Sequence, residues 1–268
     1  MARITRITTQ KKYKNRYNIF LDDGQGEKYG FSVDEAVLVE YRLRKNLELD
    51  DTMVSTLIQK DTLHKSYTLA ITFLSYRMRT KKEIHDYLLK KEVDEEQIPV
   101  IIEKLIKEKL IDDKQFANLF VTSRINTAAK GPLLIKKELI DKGVSESIAS
   151  EAIQLFSYGD QYEKAANWVE KKLSQSKKDS FRQRVDKLRA NLMQKGFTQD
   201  VVKDVFMNIE EEKDDDSEWE NTVYQGEKLL RKHGQKLEGF ELRQKIKEGL
   251  YRKGFSFEVI EKFLDEHL

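Results

Sequence analysis

The chain lacks cysteine entirely, which excludes disulfides and thiolate metal sites. Its four histidines, His64, His85, His233 and His267, are scattered and give no metal-ligand spacing. The sequence contains no pairing of a nucleophile with a base and no loop with the several glycines that a phosphate cradle needs. We therefore expect a protein that is not an enzyme and that uses no cofactor, metal or small-molecule substrate.

Long apolar runs are also missing. No stretch approaches the roughly 20 apolar residues that a membrane-spanning helix needs, and the N-terminus alternates charged and β-branched residues. This pattern predicts a cytoplasmic protein without a membrane partner. The sequence has only two prolines, Pro99 and Pro132, each where the first turn of a helix can hold it. From about residue 65 onward the sequence predicts helices almost throughout.

A repeated motif is the most informative feature that is present. It consists of Leu, three residues, Gly, and then Val or Phe, and it occurs as YLLKKEV (87–93), ELIDKGV (138–144), NLMQKGF (191–197) and GLYRKGF (249–255). The first copy carries Glu92 in place of the glycine. The aligned positions 92, 143, 196 and 254 are separated by 51, 53 and 58 residues. This period is typical of stacked helical units.

Each unit is predicted to contain three helices, of which the middle one ends at the Lys-Gly turn. In the first unit the helices are predicted at 67–78, 81–90 and about 95–109. The glycines fit the left-handed position that ends a helix, and Glu92 departs from this pattern. Apolar pairs at i and i+4 in each middle helix are predicted core residues: Ile84, Leu88, Ile135, Leu139, Leu188, Leu192, Ile246 and Leu250.

Capping residues support these helix boundaries. Thr80 and Glu83 form the pattern of a capping box, and Ser145, Thr198 and Ser256 are candidate N-caps just beyond the glycine turns. A third cap pattern, Ser32 with Glu35, predicts a helix that ends near Asn46.

Residues 1 to about 31 predict a different structure, a small β-hairpin or a three-stranded ribbon with a turn at DDGQGEK. A short helix is predicted after Asp50 and Asp51. The ribbon is rich in basic residues, which could form a basic face or protect exposed strand edges. These residues are Arg3, Arg6, Lys11, Lys12, Lys14 and Arg16.

The predicted fold class is therefore mainly α, with tandem three-helix units that form a curved, elongated solenoid behind a small N-terminal β-hairpin/α segment. The predicted domains are residues 1–62 (β-ribbon plus helices), 63–112, 113–158 and 159–209 (three-helix units one to three), and 210–268 (acidic linker and fourth three-helix unit).

Charge is segregated along the chain although the net charge is only +2. Residues 1–209 carry 38 basic and 31 acidic side chains, whereas residues 210–268 carry 11 and 16. The block 210–218 (EEEKDDDSE) is typical of a solvated linker. Residues 164–189 hold nine basic side chains against three acids, which suits either a polyanion-binding face or an ordinary solvated helix. These nine are Lys164, Lys171, Lys172, Lys177, Lys178, Arg182, Arg184, Lys187 and Arg189.

More specific motifs lie in the first two units. They are RTKKEI (79–84) with Arg77, LIDDxxFAxxFVxxR (110–124), KGP (130–132), and Leu139 with Lys142-Gly143-Val144. Together they resemble the RecX family of bacterial regulators of the RecA recombinase, strongly over about residues 67–156 and more loosely in the third unit. The family core has three tandem units, so the β segment and the fourth unit are expected to be additions.

The resemblance implies a protein that docks in the groove of the RecA nucleoprotein filament and limits filament growth, ATP hydrolysis and coprotease activity. Repression of recombination and of the SOS response would follow, with weak non-specific DNA affinity alongside. Phe116, Ala117, Phe120 and Val121 are expected to pack, as are Trp168 and Trp219. The expected contacts to filament or DNA are Arg77, Arg79, Lys81, Lys82, Arg124, Lys130, Lys136, Lys137, Lys171, Lys172, Arg182 and Arg184.

Two alternatives remain open from the residues alone. One is a helix-turn-helix-like DNA-binding protein, although the short third helices begin with acids and apolar residues, which do not suit base readout. The other is a helical-repeat adaptor for an unrelated protein. The acidic fourth unit could keep the protein soluble, contact a basic protein surface, or lower DNA affinity by mimicking phosphate charge.

Overall fold

A computed structural model describes residues 1–174, 179–209 and 215–268, and no side chain is described for residues 208, 209 and 215–217. The described part has a small N-terminal sheet followed by helices, which confirms the prediction of a mainly helical fold with an N-terminal β segment. Its elements are β1 (Ala2–Thr9), β2 (Arg16–Asp22), β3 (Glu27–Asp34), α1 (Glu35–Glu40), β4 (Glu48–Leu49), α2 (Asp51–Leu74), α3 (Lys81–Lys90), α4 (Gln97–Lys107), α5 (Asp113–Thr127), α6 (Pro132–Asp141), α7 (Glu146–Ile153), α8 (Tyr158–Leu173), α9 (Phe181–Gln194), α10 (Gln199–Ile209), α11 (Asp215–His233), α12 (Gly239–Arg252) and α13 (Phe257–His267).

The sheet is antiparallel with the strand order β3-β2-β1-β4. The predicted three-stranded ribbon is confirmed, and the two-residue strand β4 beside β1 is an element that the sequence did not indicate. Alternate residues Ile19 and Leu21 of β2, and Phe31 and Val33 of β3, point to one buried face. That face packs with Leu57 of α2.

The predicted capping box of Ser32 and Glu35 is wrong. Ser32 lies in β3, where its hydroxyl accepts a hydrogen bond from Arg16, and the N-cap of α1 is Asp34, whose carboxylate accepts from the Ala36 amide. The helix ends at Glu40 and not near Asn46. Residues 42 and 46 both adopt a positive φ, which an α-helix cannot contain.

The helix after Asp50 is not short. Asp50 caps it as predicted by accepting from the Met53 amide, but α2 then continues for 24 residues. It passes through residues 62 and 63 and also supplies the leading helix of the first unit. One helix serves both because Leu57 packs in the core of the sheet while Ala70 packs with α3 and α4.

Three-helix groups follow one another along the rest of the chain. We call them repeat 1 (α2–α4), repeat 2 (α5–α7), repeat 3 (α8–α10) and repeat 4 (α11–α13), so the middle helices are α3, α6, α9 and α12. The eight predicted core residues of these middle helices are all buried. By internal contacts the chain divides into an N-terminal body, Met1–Phe116 with Lys142–Val144, and a C-terminal body, Ala117–Asp141 with Ser145–Leu268.

The predicted helix ends are largely confirmed. Thr80 and Glu83 form the capping box of α3, which spans the predicted residues, and Ser145 and Ser256 cap α7 and α13. The glycines at 143, 196 and 254 have φ values of 87°, 83° and 82°.

The acidic block does not behave as a solvated linker where it is described. Residues 210–214 lie outside the described part, but α11 begins at Asp215. Glu218 is 4% exposed, and its carboxylate accepts a hydrogen bond from the Phe181 amide at 2.8 Å. The free amides at the start of α9 explain why a carboxylate is buried there.

Candidate functional site

Each Lys-Gly turn packs against the N-terminus of the middle helix in the preceding repeat. We call these contacts junctions 1, 2 and 3. In junction 1 the Thr80 hydroxyl donates to the Lys142 carbonyl at 2.6 Å while accepting from the Glu83 amide. In junction 3 the Ser180 hydroxyl makes the same two bonds, to the Lys253 carbonyl and from the Gln183 amide.

Junction 2 has no hydroxyl and uses backbone amides instead. The Gly131 amide donates to the Lys195 carbonyl at 2.8 Å, and the Leu133 amide donates to the Gly196 carbonyl at 3.0 Å. In all three junctions a lysine carbonyl of the turn therefore satisfies a donor at the start of the preceding middle helix.

The junctions require glycine for more than its dihedral freedom. A Cβ on Gly143 would lie 2.3 Å from Lys82 Cβ, and a Cβ on Gly196 would lie 2.4 Å from the backbone nitrogen of Leu134. Glu92, at the same place in repeat 1, has a φ of 59°. Repeat 1 is preceded by the sheet and not by another repeat, so no equivalent junction requires glycine at Glu92.

Several of the predicted contact residues are engaged inside the protein. Arg77 bonds Glu83 through both terminal nitrogens, at 3.1 and 2.8 Å, and Lys142 reaches the same carboxylate at 3.2 Å. Burial raises the pKa of Glu83, but the hydrogen bonds from Arg77 and Lys142 outweigh burial and bring the pKa below its ordinary value. Arg77 therefore forms a structural ion pair with Glu83 at junction 1.

Arg79 packs beside the start of α3, and Lys82 belongs to junction 1. The Arg79 guanidinium lies 4.0 Å from the centre of the Phe73 ring, and burial lowers its pKa. The Lys82 side chain forms the wall against which Gly143 packs. Lys81 is exposed, its backbone amide donates to Asp113, and its ammonium makes no ion pair with any described residue.

Near junction 2, Glu138 forms ion pairs with two of the predicted contact residues. Arg124 Nε lies 3.0 Å from one carboxylate oxygen and Lys130 bonds the other. Burial raises the pKa of Glu138, but the bonds from Lys130 and Arg124 bring it below the ordinary value. Lys136 pairs with Glu146 at 3.0 Å, whereas Lys137 is exposed and makes no ion pair among the described residues.

The basic cluster at residues 164–189 is only partly described. Lys171 and Lys172 are exposed in the last turn of α8, and Lys177 and Lys178 lie outside the described residues. Arg182 is exposed and without an ion pair in the described ranges, whereas Arg184 is half-buried with Nη1 3.4 Å from the Leu173 carbonyl.

The predicted packing residues are mostly in the core. Phe116, Ala117 and Val121 are buried, while Phe120 is half-buried with the Arg124 guanidinium 4.6 Å from its ring centre. Both tryptophans are half-buried and lie beside a lysine, Trp168 with Lys195 at 5.2 Å and Trp219 with Lys262 at 4.2 Å.

Sequence reasoning missed two sets of surface residues. The turn of each junction contains a half-buried lysine, and the recurring Lys-Gly pair was the signal for these residues, which are Lys142, Lys195 and Lys253. The second set follows the buried leucine of each middle helix by one position, and all its members are large, apolar and exposed. This set is Leu89, Ile140, Met193 and Tyr251.

Family models match most of the chain. Residues 2–50 match the regulatory protein RecX N-terminal domain, residues 67–105 the first RecX three-helix domain, and residues 112–153 the second. The model of the third three-helix domain matches twice, at 159–206 and at 216–264.

Curated relatives extend over the whole chain. The regulatory protein RecX of Oceanobacillus iheyensis is 56% identical over 270 residues, covering 100% of this chain and 99% of its own. The chain belongs to the RecX family of regulatory proteins. RecX of Bacillus cytotoxicus is 43% identical and covers 98% of this chain and 97% of its own. The expectation that the β segment is an addition is wrong, because a RecX N-terminal domain model matches it. The fourth unit is a second match to the third three-helix domain, and these full-length relatives share it.

Solved RecX structures show the same fold. A crystal structure of regulatory protein RecX matches with a TM-score of 0.68 at 36% identity and covers 76% of this chain and 98% of its own. The RecX structure from Lactobacillus salivarius matches with a TM-score of 0.54 at 36% identity, covering 56% of this chain and 98% of its own.

The described residues contain neither a metal-binding cluster nor a membrane-spanning helix. In those ranges no group of three or more His, Asp or Glu side chains could hold a metal ion. Within the same ranges no helix has both the length and the apolar character needed to cross a bilayer.

Proposed function

We propose that this RecX-family protein binds the RecA nucleoprotein filament and limits its growth, ATP hydrolysis and coprotease activity. It thereby represses recombination and the SOS response in the cytoplasm, where the filament forms. It acts by binding alone, as a non-enzymatic regulator, with weak non-specific affinity for DNA.

The observation that supports this proposal is the recurrence of one surface along the chain. Each middle helix presents an exposed apolar residue directly before its turn, and the three junctions each place a lysine at the start of the preceding middle helix. A recurring protein surface suits a partner that is itself made of repeated subunits. The junction lysines are half-buried, but exposed cations such as Lys81 and Lys137 on the middle helices suit the negative charge of the DNA within that partner.

Ion pairs within the chain indicate which predicted contact residues remain available to a partner. Arg77, Arg124, Lys130 and Lys136 are held by carboxylates of the same chain. We propose that the main electrostatic contacts come from four residues of the predicted contact set that are exposed and make no ion pair with a described residue. These are Lys81, Lys137, Lys171 and Arg182.

A charge-reversal experiment tests the proposal. The double variant K137E/R182E removes two free cations without breaking an ion pair of the described structure, so its helicity should be unchanged. Titrated into preformed RecA filaments on single-stranded DNA, it should need at least about tenfold more protein than the wild type to halve ATP hydrolysis.

The matched control reverses the same number of charges elsewhere. Lys11 and Lys14 are exposed beside the turn between β1 and β2, so K11E/K14E should inhibit within about twofold of the wild type. Equal inhibition by K137E/R182E and the wild type would show that these cations are not contacts. A wild-type chain without effect on RecA would favour the adaptor role instead.

A further inference from the structure

Junction 3 opens into a cleft of about 740 Å³ between α9 and the turn that joins α12 to α13. Phe181 and Val185 line it from α9, and Tyr251 and Phe257 line it from the other side. All of these residues belong to the C-terminal body of the chain.

Two aromatic rings at the rim of this cleft are open to solvent. Tyr251 and Phe257 stack with ring centres 4.9 Å apart and an angle of 29° between the planes, yet they remain 54% and 56% exposed. The residues at the position of Phe257 in repeats 2 and 3 are Glu146 and Gln199. The stacked pair is therefore a feature of repeat 4 and not of the repeat in general.

Cations surround the pair. Arg182 lines the cleft, and Arg252 lines an adjoining cavity that shares Arg182 and Tyr251 with it. Both arginines are exposed and neither makes an ion pair with a described residue, while Lys253 of the adjoining cavity is half-buried. Two acids also line the cleft, but the Glu218 carboxylate is buried against the Phe181 amide. The exposed acid Asp186 is thus outnumbered by the arginines at the rim, which gives the opening a positive charge.

Exposed aromatic planes beside cations suit one class of ligand. Single-stranded nucleic acid offers unstacked bases for the rings and phosphates for the cations. In a double helix the base faces are covered by their neighbours, so a duplex could use only the cations. The Lys247 ammonium lies 5.7 Å from the centre of the Phe257 ring, and the 56% exposure of Phe257 leaves ring area open for a base.

We propose that junction 3 binds single-stranded nucleic acid, with bases stacked on Tyr251 and Phe257 and phosphates held by Arg182 and Arg252. The site deepens the proposed function by giving the chain its own hold on the DNA of the filament. It contradicts the view that the acidic repeat 4 lowers DNA affinity, since removal of residues 215–268 would remove half of the site.

The test measures direct binding and needs no RecA. Fluorescence anisotropy of a labelled oligothymidylate with full-length protein should give about tenfold weaker binding for Y251A/F257A than for the wild type. Y251W, which keeps an aromatic plane, should retain the affinity. The R182A variant should instead lower the salt dependence, with the slope of log affinity against log salt falling by about 0.7.

Phe240 supplies a matched control, because it is 82% exposed in α12 and does not line the cleft. The F240A variant should bind the oligonucleotide within twofold of the wild type, and melting temperatures should verify that all variants are folded. Unchanged affinity of Y251A/F257A, or an equal loss for F240A, overturns the proposal. If Y251A/F257A loses RecA inhibition but keeps oligonucleotide affinity, the rings contact protein and the nucleic-acid site is wrong. Failure of the wild type to bind the oligonucleotide also overturns it, whatever its effect on RecA.

Discussion

Substitutions at two glycines should distinguish the energetic cost of backbone strain from the cost of a steric clash. Gly196 and Gly239 both have a positive φ, which costs any other residue about 1–2 kcal/mol. A Cβ on Gly196 would also meet the backbone of Leu134 at 2.4 Å, whereas nothing lies within 4 Å of a Cβ on Gly239.

We therefore predict that G196A lowers the free energy of unfolding by at least about 3 kcal/mol and that G239A lowers it by about 1 kcal/mol. Urea denaturation followed by circular dichroism measures both. Equal losses would mean that the close approach at junction 2 does not limit the turn. A glycine at residue 92 offers a further comparison, since E92G should be neutral or slightly stabilising.

A buried carboxylate predicts a pH dependence. Asp61 of α2 is buried and bonds Arg16 at 2.8 Å, Lys65 at 2.8 Å and the Asp34 amide at 2.8 Å, so it ties two strands to the helix. Burial raises its pKa, but the hydrogen bonds from Arg16, Lys65 and Asp34 outweigh this and bring the pKa below the ordinary value.

A lowered folded-state pKa means that the charged form stabilises the fold at pH values above the ordinary value of about 3.9, and that this stability is lost as the pH falls through the folded pKa. We expect D61N to lose about 3 kcal/mol of unfolding free energy at pH 7, because it leaves Arg16 partly unpaired. The difference in unfolding free energy between D61N and the wild type should be constant from pH 5 to 8 and smaller at pH 3. A difference that stays the same down to pH 3 would contradict this assignment, and E40Q on the exposed end of α1 serves as the control.

At the scale of elements, the hydroxyl at a helix start performs two tasks. Thr80 caps α3 and also satisfies the Lys142 carbonyl. We predict that T80A lowers the free energy of unfolding by about 2–4 kcal/mol, because it removes a cap and takes the hydroxyl donor away from the part-buried Lys142 carbonyl. T80S, which keeps the hydroxyl, should lose less than about 1 kcal/mol. Hydrogen exchange should show the largest loss of protection at the amides that follow Thr80, and a uniform loss would argue against a local cap.

The sequence was most informative about elements whose signals are local. Hydrophobic spacing and the glycine turns identified the middle helices, and the predicted bounds of α3 match the observed ones. This worked because the apolar pairs and the caps of one helix lie close together in sequence. The capping residue of α1 was misplaced, because Ser32 lies in β3 and bonds Arg16, which is 16 residues earlier, and the helix is capped two positions later by Asp34.

Features that depend on distant residues could not be predicted in this way. The junctions pair residues 62 to 73 positions apart, as Thr80 with Lys142 and Ser180 with Lys253. For the same reason the charge count overstated the number of free cations, because Glu138 and Glu83 neutralise residues on other elements. The burial of Glu218 likewise depends on the start of α9, 37 residues earlier.

For the whole molecule, the double match of the third-domain model indicates that repeat 4 is a second copy of the repeat 3 type. A chain with four related repeats has four positions at which one surface can recur. In repeats 1 to 3 the exposed residue before the turn is Leu89, Ile140 or Met193, and each follows a fully buried leucine. If RecA subunits contact these positions separately, each position should contribute its own share of binding free energy.

The aspartate variants L89D, I140D and M193D test this. Each should raise the amount of protein that halves ATP hydrolysis by RecA filaments about tenfold, as expected for an interface residue worth more than about 1 kcal/mol. Because independent sites add in free energy, the triple variant should show close to the product of the three factors. V100D, at an exposed apolar residue of α4 away from the turns, should inhibit like the wild type. If the triple variant inhibits as well as the single variant with the largest loss, one repeat alone makes the contact. The recurrence of the surface would then reflect the fold of the repeat and not its partner.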